Sequence, residues 1–314
     1  MEYEQLRQEH NKGLTKLDYN YIPEGQALPD PTTFRIQASQ ISNFFDYTNS
    51  WYREKLLGGS PMFGGNTSSV LGTCVHWAAE CYIKDKQITE PNKEEMYAYI
   101  DQQANKNVDI DAVTIRQQLT PMWRTLRDYI DRDPGGLVEP FIELEILPGI
   151  TAGGSIDRLK PVNDNTIYYS LEELRGKTVD IQDWKTTSAM SAPTKMTKNY
   201  EWQLLVYAYV LHKKYDITTR YITDVFLTRD NCGRLNDKGK PMKDYPSVVG
   251  EVSKPVTEES LLFIESIIKV VAHSVEAFVT SPGLRYLLAQ DMRLVSDITP
   301  SPFTSICQIK AEDI

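Results

Sequence analysis

No stretch of this 314-residue sequence approaches the roughly 18 consecutive apolar residues that span a bilayer. The first residues, MEYEQLRQEHNKG, hold neither an apolar core nor a small-residue cleavage site. Membrane insertion and secretion are therefore not expected. Cysteine is scarce as well. Cys74, Cys81, Cys232 and Cys307 form no CxxC pair and are too few to staple a chain of this length, which points to a reducing, cytoplasmic compartment. No GxxxxGK[ST] loop is present to bind ATP. A basic excess is also lacking, since 34 Lys and Arg stand against 43 Asp and Glu, a formal net charge of −9. That balance argues against a protein that coats nucleic acid non-specifically, because such binders carry a basic footprint that displaces counterions. It leaves room for an enzyme with a local basic groove, and carboxylates gathered round a cation would themselves add acid.

What is present fits a folded protein, with 41% hydrophobic and 25% charged residues. The length allows one large domain or two. We expect an N-terminal arm over 1–35, one domain over 36–290 with a helical insertion at about 92–133, and an extended tail over 291–314. Ile41, Phe44, Phe45, Trp51, Tyr52, Leu56 and Leu57 recur at helical spacing. A second helix is expected from a Ser68 or Ser69 cap to about Lys86, with His76 and Glu80 one turn apart beside its apolar stripe. Met122, Trp123, Leu126, Tyr129 and Ile130 mark the core face of the helical insertion, which stops at Asp133-Pro134-Gly135-Gly136. From Glu139 the period falls to two, predicting a strand, a turn over Gly149–Gly154, a strand over Ser155–Pro161 carrying Asp157, and a third strand in VDIQDWKTT. Residues 200–215 are apolar on nearly all sides and predict a buried helix. Another strand follows over Tyr221–Thr228, then a polar loop, then a helix over Thr257–Thr280. Within that loop, Arg229 to Lys243 holds five basic residues against two acids, either a phosphate contact or a solvated loop.

Chemistry gathers at Asp183-x-Lys185, which a strand sets about 6–7 Å apart on one face. Alone, such a pair is most often a plain ion pair. Asp157, on another strand 26 residues earlier, gives it a second reading. Two carboxylates on neighbouring strands can converge on a divalent cation, which prefers hard oxygen ligands. A nearby ammonium can then orient water and offset charge growing on a phosphate. His76 adds an imidazole suited to Mn²⁺ and similar ions, although a helical His with an i+4 Glu is commonly a surface pair. Gly72, near the start of that helix, carries a stability cost that suggests close approach to something. Gln203 and Tyr207 lie one turn apart on the buried helix, where their polar tips need partners in the interior or at a cleft.

Five blocks, QASQISNFFDYTNSWYREKLLG, LGTCVHWAAE, GGSIDRL, DIQDWKTT and WQLLVYAYVL, follow one another between about residues 37 and 211. In that order they resemble the RecB-type branch of the PD-(D/E)XK nuclease superfamily. The resemblance implies an α/β fold with a restriction-endonuclease-like core, a central mixed β-sheet flanked by α-helices. It implies one or two Mg²⁺ or Mn²⁺ ions held by His76, Asp157, Asp183 and the main-chain carbonyl of Trp184, with Lys185 as catalytic lysine. Gln203 and Tyr207 match the Q-x-x-x-Y motif, and Glu80 falls where many relatives carry an acid that supports the site. The implied activity is a deoxyribonuclease, favoured as an exonuclease, in the bacterial or phage-infected cytoplasm, with DNA and replication or recombination proteins as partners. Two rivals are a structure-specific endonuclease and a non-catalytic module binding DNA or a partner. Where many relatives hold an iron–sulfur cluster, this chain has Tyr47 and Thr48 at the front and only Cys307 at the end, so no cluster is expected. The gap between Asp157 and Asp183 is longer than usual, with YYSLEELRGKT inserted, and could shape a DNA channel or bind a partner.

Overall fold

The structure, a computed structural model, describes residues 34–55, 66–84, 93–187, 191–230, 240 and 246–280. The arm over 1–33, the tail over 291–314, Cys232, Cys307 and most of the basic loop lie outside them. In chain order the elements begin with β1 (Phe34–Gln37), α1 (Ile41–Asp46), α2 (Thr48–Lys55), α3 (Thr67–Lys84), α4 (Lys93–Lys106) and α5 (Ala112–Arg132). They continue with β2 (Leu137–Val138), β3 (Phe141–Leu147), β4 (Ile150–Ser155), β5 (Arg158–Pro161) and β6 (Thr178–Thr187), then α6 (Lys198–Val210), β7 (Thr218–Thr228), β8 (Val249–Pro255) and α7 (Glu258–Thr280). The chain divides into two compact units that interleave along the sequence. Among the described residues, one comprises those from 66 to 142 and from 155 to 261, the other those from 34 to 55, 143 to 154 and 262 to 280.

The first of these units is built on a five-stranded sheet in the order β2-β5-β6-β7-β8. Its β6 and β7 run parallel, and the other neighbours run antiparallel. This is the mixed sheet flanked by helices that the sequence implied. Side chains alternate across a strand, so Trp184, Val225 and Leu227 face one side and Asp183, Lys185, Asp224 and Phe226 the other. The Trp184 side is covered by α3, α4 and α5, which bring Leu71, Val75, Ala79, Met96, Ile100, Trp123 and Leu126 into one core. The Asp183 side meets α6, where every residue from Gln203 to Val210 is buried. That is why the α6 sequence shows no polar face. Truncating a fully buried side chain such as Trp184 to Ala would cost about 3–5 kcal/mol.

Local chemistry sets the ends of these helices. At α3 the cap is Asn66, whose Oδ1 accepts from the Ser69 amide at 3.0 Å, and not Ser68 or Ser69. Asp111 caps α5 through the Thr114 amide at 3.0 Å. After α5, Gly135 and Gly136 take φ of +88° and +93°. A Cβ there would stand 2.3 Å from the Asn165 carbonyl oxygen and 2.5 Å from that of Leu159, so only glycine fits. Gly72 approaches Thr186, with room for little more than a methyl group at 3.4 Å.

In the second unit, β1 pairs in parallel with β4, which lies between β1 and β3. Phe34, Phe44, Trp51 and Tyr52 pack edge to face, with centroids 5.3–5.9 Å apart. Along α7, Ile264, Ile268, Val271, Ala272 and Val275 form the buried stripe. The Tyr52 hydroxyl donates to the Ser274 carbonyl at 3.3 Å.

Four sequence expectations need correction, and a fifth feature, the insertion, can be placed. The helix expected from Ser39 is broken at Tyr47, which adopts φ −145° and ψ 52°. Of the segment Gly149–Gly154 expected as a turn, only Gly149 lies in one, and the residues from Ile150 belong to strand β4, because hydrogen bonding to β1 and β3 outweighs the low strand propensity of glycine. Asp157 stands in the joint between β4 and β5, not within a strand. The segment read as polar loop contains β8, an edge strand whose outward polar residues hide its period. The insertion between Asp157 and Asp183 joins β5 to β6 where Pro161 opposes Val179. That is the end of the strand pair away from Asp183, about 13 Å along β6.

Candidate active site

All of the residues that follow belong to the unit with the five-stranded sheet. Because β5 starts at Arg158, opposite Gln182, the amide of Trp184 has no β5 backbone partner. The Asp157 carboxylate takes that place, its Oδ2 accepting from the Trp184 amide at 2.6 Å. Its Oδ1 lies 3.3 Å from His76 Nδ1. The imidazole stands edge-on to the Trp184 ring, centroids 5.8 Å apart at 88°, which fixes its orientation on α3. Burial alone would push the His76 pKa down, but the charges of Asp157 and Asp183 outweigh it and raise the value to about 9. For Asp157, burial opposes ionisation, yet His76, Lys185 and the Trp184 amide prevail and hold its carboxyl below the ordinary range.

Glu139 joins this pair. Its amide donates to the Asp157 carbonyl at 3.2 Å, and the Ile156 amide donates to the Pro140 carbonyl at 3.1 Å, so the two acids ride on adjacent backbones. It adopts φ +50°, a costly conformation for a residue other than glycine. Burial, reinforced by the charge of Asp157, raises its pKa to about 7. One ligand atom from each of His76, Glu139 and Asp157 lies within 4.8 Å of the others. An imidazole nitrogen and two carboxylates so spaced form a donor set of a kind that suits Mg²⁺ or Mn²⁺.

Asp183 and Lys185 sit beside this set on β6. Their carboxylate and ammonium form an ion pair in which Asp183 Oδ2 meets Nζ. Gln203 on α6 ties them together: its Nε2 donates to Asp183 Oδ1 at 3.2 Å and its Oε1 lies 3.5 Å from Lys185 Nζ. Its Nε2 is also 3.3 Å from the Tyr207 hydroxyl. Burial raises the Asp183 pKa to about 6 despite Lys185. For Lys185, burial works against the charge, but Asp183 and Asp157 outweigh it and raise the pKa. Asp224, in register with Asp183 on β7, is fully buried, and among the described residues neither of its carboxylate oxygens has a hydrogen-bond partner. Burial and the charge of Asp183 raise its pKa to about 7.

The sequence profile of the PD-(D/E)XK nuclease superfamily matches residues 36–277. The chain belongs to that superfamily. Among solved structures it is similar to a candidate exonuclease from Eubacterium rectale, with 13% identity, a TM-score of 0.43, and coverage of 81% of this chain and 82% of that one. It is also similar to LHK-Exo in complex with dAMP, with 12% identity, a TM-score of 0.30, and coverage of 68% and 93%. No curated protein matches.

The fold of this superfamily member brings together His76, Asp157, Asp183, Lys185, Gln203 and Tyr207, which the sequence separates by up to 131 positions. The main chain of Trp184 lies next to Asp157. Glu80 pairs with Lys84 at 2.5 Å, one turn beyond His76, and its charge bears on Glu139. Sequence reasoning passed over Glu139 and Asp224. Signals existed for both: an acid before proline just after a Gly-Gly turn, and a single acid inside the apolar run YITDVFLT. Among the described residues no helix is long and apolar enough to cross a membrane.

Proposed function

We propose that this chain is a divalent-metal-dependent deoxyribonuclease, acting as an exonuclease in replication, recombination or phage DNA processing. Membership of the nuclease superfamily supports hydrolysis of phosphodiester bonds, and the likeness of five sequence blocks to RecB-type enzymes supports the exonuclease reading. The observation that carries the metal dependence is the clustering of His76, Glu139 and Asp157 within 4.8 Å, beside the Asp183–Lys185 pair. We assign His76, Asp157, Asp183 and the Trp184 carbonyl to the metal, and add Glu139. When bound, a divalent ion supplies a water of lowered pKa and neutralises charge on the phosphoryl oxygens. Lys185 supplies a fixed ammonium that can orient the attacking water and offset negative charge developing on the phosphoryl oxygens. Its partners Asp183 and Gln203 hold it in place, with Tyr207 supporting Gln203. Glu80 keeps a supporting position.

Product analysis on end-labelled single-stranded and duplex DNA, with Mg²⁺, Mn²⁺ or EDTA, tests this reading. The expected result is ion-dependent release of short products from ends, with a closed circle untouched. Rapid loss of the closed circle would assign an endonuclease. No cleavage with either ion would favour a non-catalytic module.

A further inference from the structure

One aromatic side chain at the site belongs to none of the groups assigned above. Tyr200 lies on α6 one turn before Gln203, and Tyr200, Gln203 and Tyr207 follow at i, i+3 and i+7, one face of the helix. The Lys185 ammonium stands 4.7 Å from the centroid of the Tyr200 ring. The ring is itself seated. Thr197 caps α6 and accepts from the Tyr200 amide at 3.4 Å. On the other flank, Phe226 is the register neighbour of Lys185 on β7, and its ring centroid lies 6.2 Å from that of Tyr200.

We infer that Tyr200 is a positioning residue for Lys185, holding the ammonium by a cation–π contact. This rests on the reading of Lys185 as the site lysine. The physical reason is the division of partners. Asp183 is the ammonium's charged partner here, but its carboxylate is also assigned to the metal, and Gln203 reaches Nζ only at 3.5 Å. An aromatic face attracts an ammonium and yet offers no oxygen to a hard divalent ion. It can therefore keep Lys185 in place without competing for the metal.

The test compares Tyr200→Phe, which keeps the ring, with Tyr200→Leu, which removes it. Tyr200→Met serves if the leucine variant does not fold. Two readouts apply. The first is the NMR shift of the Lys185 ε-methylene protons in metal-free protein, assigned by the signal lost in Lys185→Arg. A ring at this distance moves them upfield in the wild type and in Tyr200→Phe, and Tyr200→Leu abolishes the displacement. The second is cleavage of end-labelled DNA: Tyr200→Leu should lower kcat about tenfold with KM within twofold, and Tyr200→Phe should restore it. The inference is overturned if Tyr200→Leu keeps the wild-type kcat, if Tyr200→Phe is as impaired as Tyr200→Leu, or if the upfield displacement is absent in the wild type. Wild-type protein inactive with both ions would overturn the nuclease reading instead, leaving the NMR arm to decide whether the ring contacts the ammonium.

Discussion

Two positions along strand β6 carry the same residue type in opposite conditions. Near its start, Asp180 accepts from Arg220 Nε at 3.0 Å and Nη2 at 2.6 Å and from the Tyr221 amide at 3.2 Å, a fully paired carboxylate. The charged residues of the neighbouring strand are equally settled, Lys160 opposite Asp180 and Arg158 opposite Gln182. Lys160 Nζ reaches the Pro134 and Asp164 carbonyls at 2.8 and 2.7 Å, and Arg158 Nε and Nη1 reach the Gly135 carbonyl and Gln182 Oε1 at 3.0 Å each. Further along β6, Asp183 lies beside Asp224, whose carboxylate has no hydrogen-bond partner among the described residues, and close enough to Asp157 for that charge to raise its pKa. Buried polar groups are normally satisfied, and Asp180, Lys160 and Arg158 obey that rule. Around Asp183 the carboxylates of Glu139, Asp157, Asp183 and Asp224 outnumber the cations Lys185 and His76, so they cannot all ionise comfortably, the condition expected where a further cation would bind.

The contrast can be broken or sharpened by substitution. Asp183→Ala has the largest expected effect, a loss of DNA cleavage of about a thousandfold or more with the protein still folded, read by end-labelled DNA and circular dichroism. Arg158→Met should do the reverse. It strands the Asp133 and Gly135 carbonyls and Gln182, and should lower stability by about 3–5 kcal/mol in urea unfolding.

Asp224→Asn should stabilise the metal-free protein at pH 8, by on the order of 2–4 kcal/mol. The sign follows from linkage. The Asp224 pKa in the fold is about 7, above its ordinary value near 4, so the folded state holds the extra proton in between. Stability therefore falls as pH rises from about 4 through about 7 and then levels off. The difference in Tm between wild type and Asp224→Asn, followed across that window, isolates this residue from Glu139 and Asp183, whose raised values act in the same direction.

A smaller effect concerns His76. With its pKa raised to about 9, the imidazole must shed a proton before it can bind a metal, so Mn²⁺ affinity should rise about tenfold per pH unit from 7 towards 9. Calorimetry in buffers of different ionisation enthalpy should show between one and two protons released at pH 7, about one from His76 and about half of one from Glu139, whose pKa is about 7. At the paired position, Arg220→Ala should cost less than about 1 kcal/mol and leave cleavage unchanged, because that ion pair is half exposed.

Much of this was legible in the sequence. The apolar runs of α5 and α6 and the alternation of β6 announced themselves because burial imposes their periods. The fold class followed from the order of five short blocks. What escaped notice depends on partners that pattern cannot show. The strand character of β4 comes from hydrogen bonds to β1 and β3, and β8 has too few apolar residues to display its period. At the site, Asp157, Asp183 and Lys185 were visible as a spaced set of ionisable residues, although Asp157 proved to lie between strands. Glu139 was not, because its place depends on a turn of two glycines with positive φ and on backbone pairing with Asp157. Asp224 was hidden among apolar neighbours, and Tyr200 looked like one more core aromatic.

The most direct test is titration of Mn²⁺ into wild-type protein and into Asp157→Ala by calorimetry at pH 8. The wild type should bind with a defined stoichiometry, and the variant, folded by circular dichroism, should lose that binding. Equal affinity in both proteins would contradict the account.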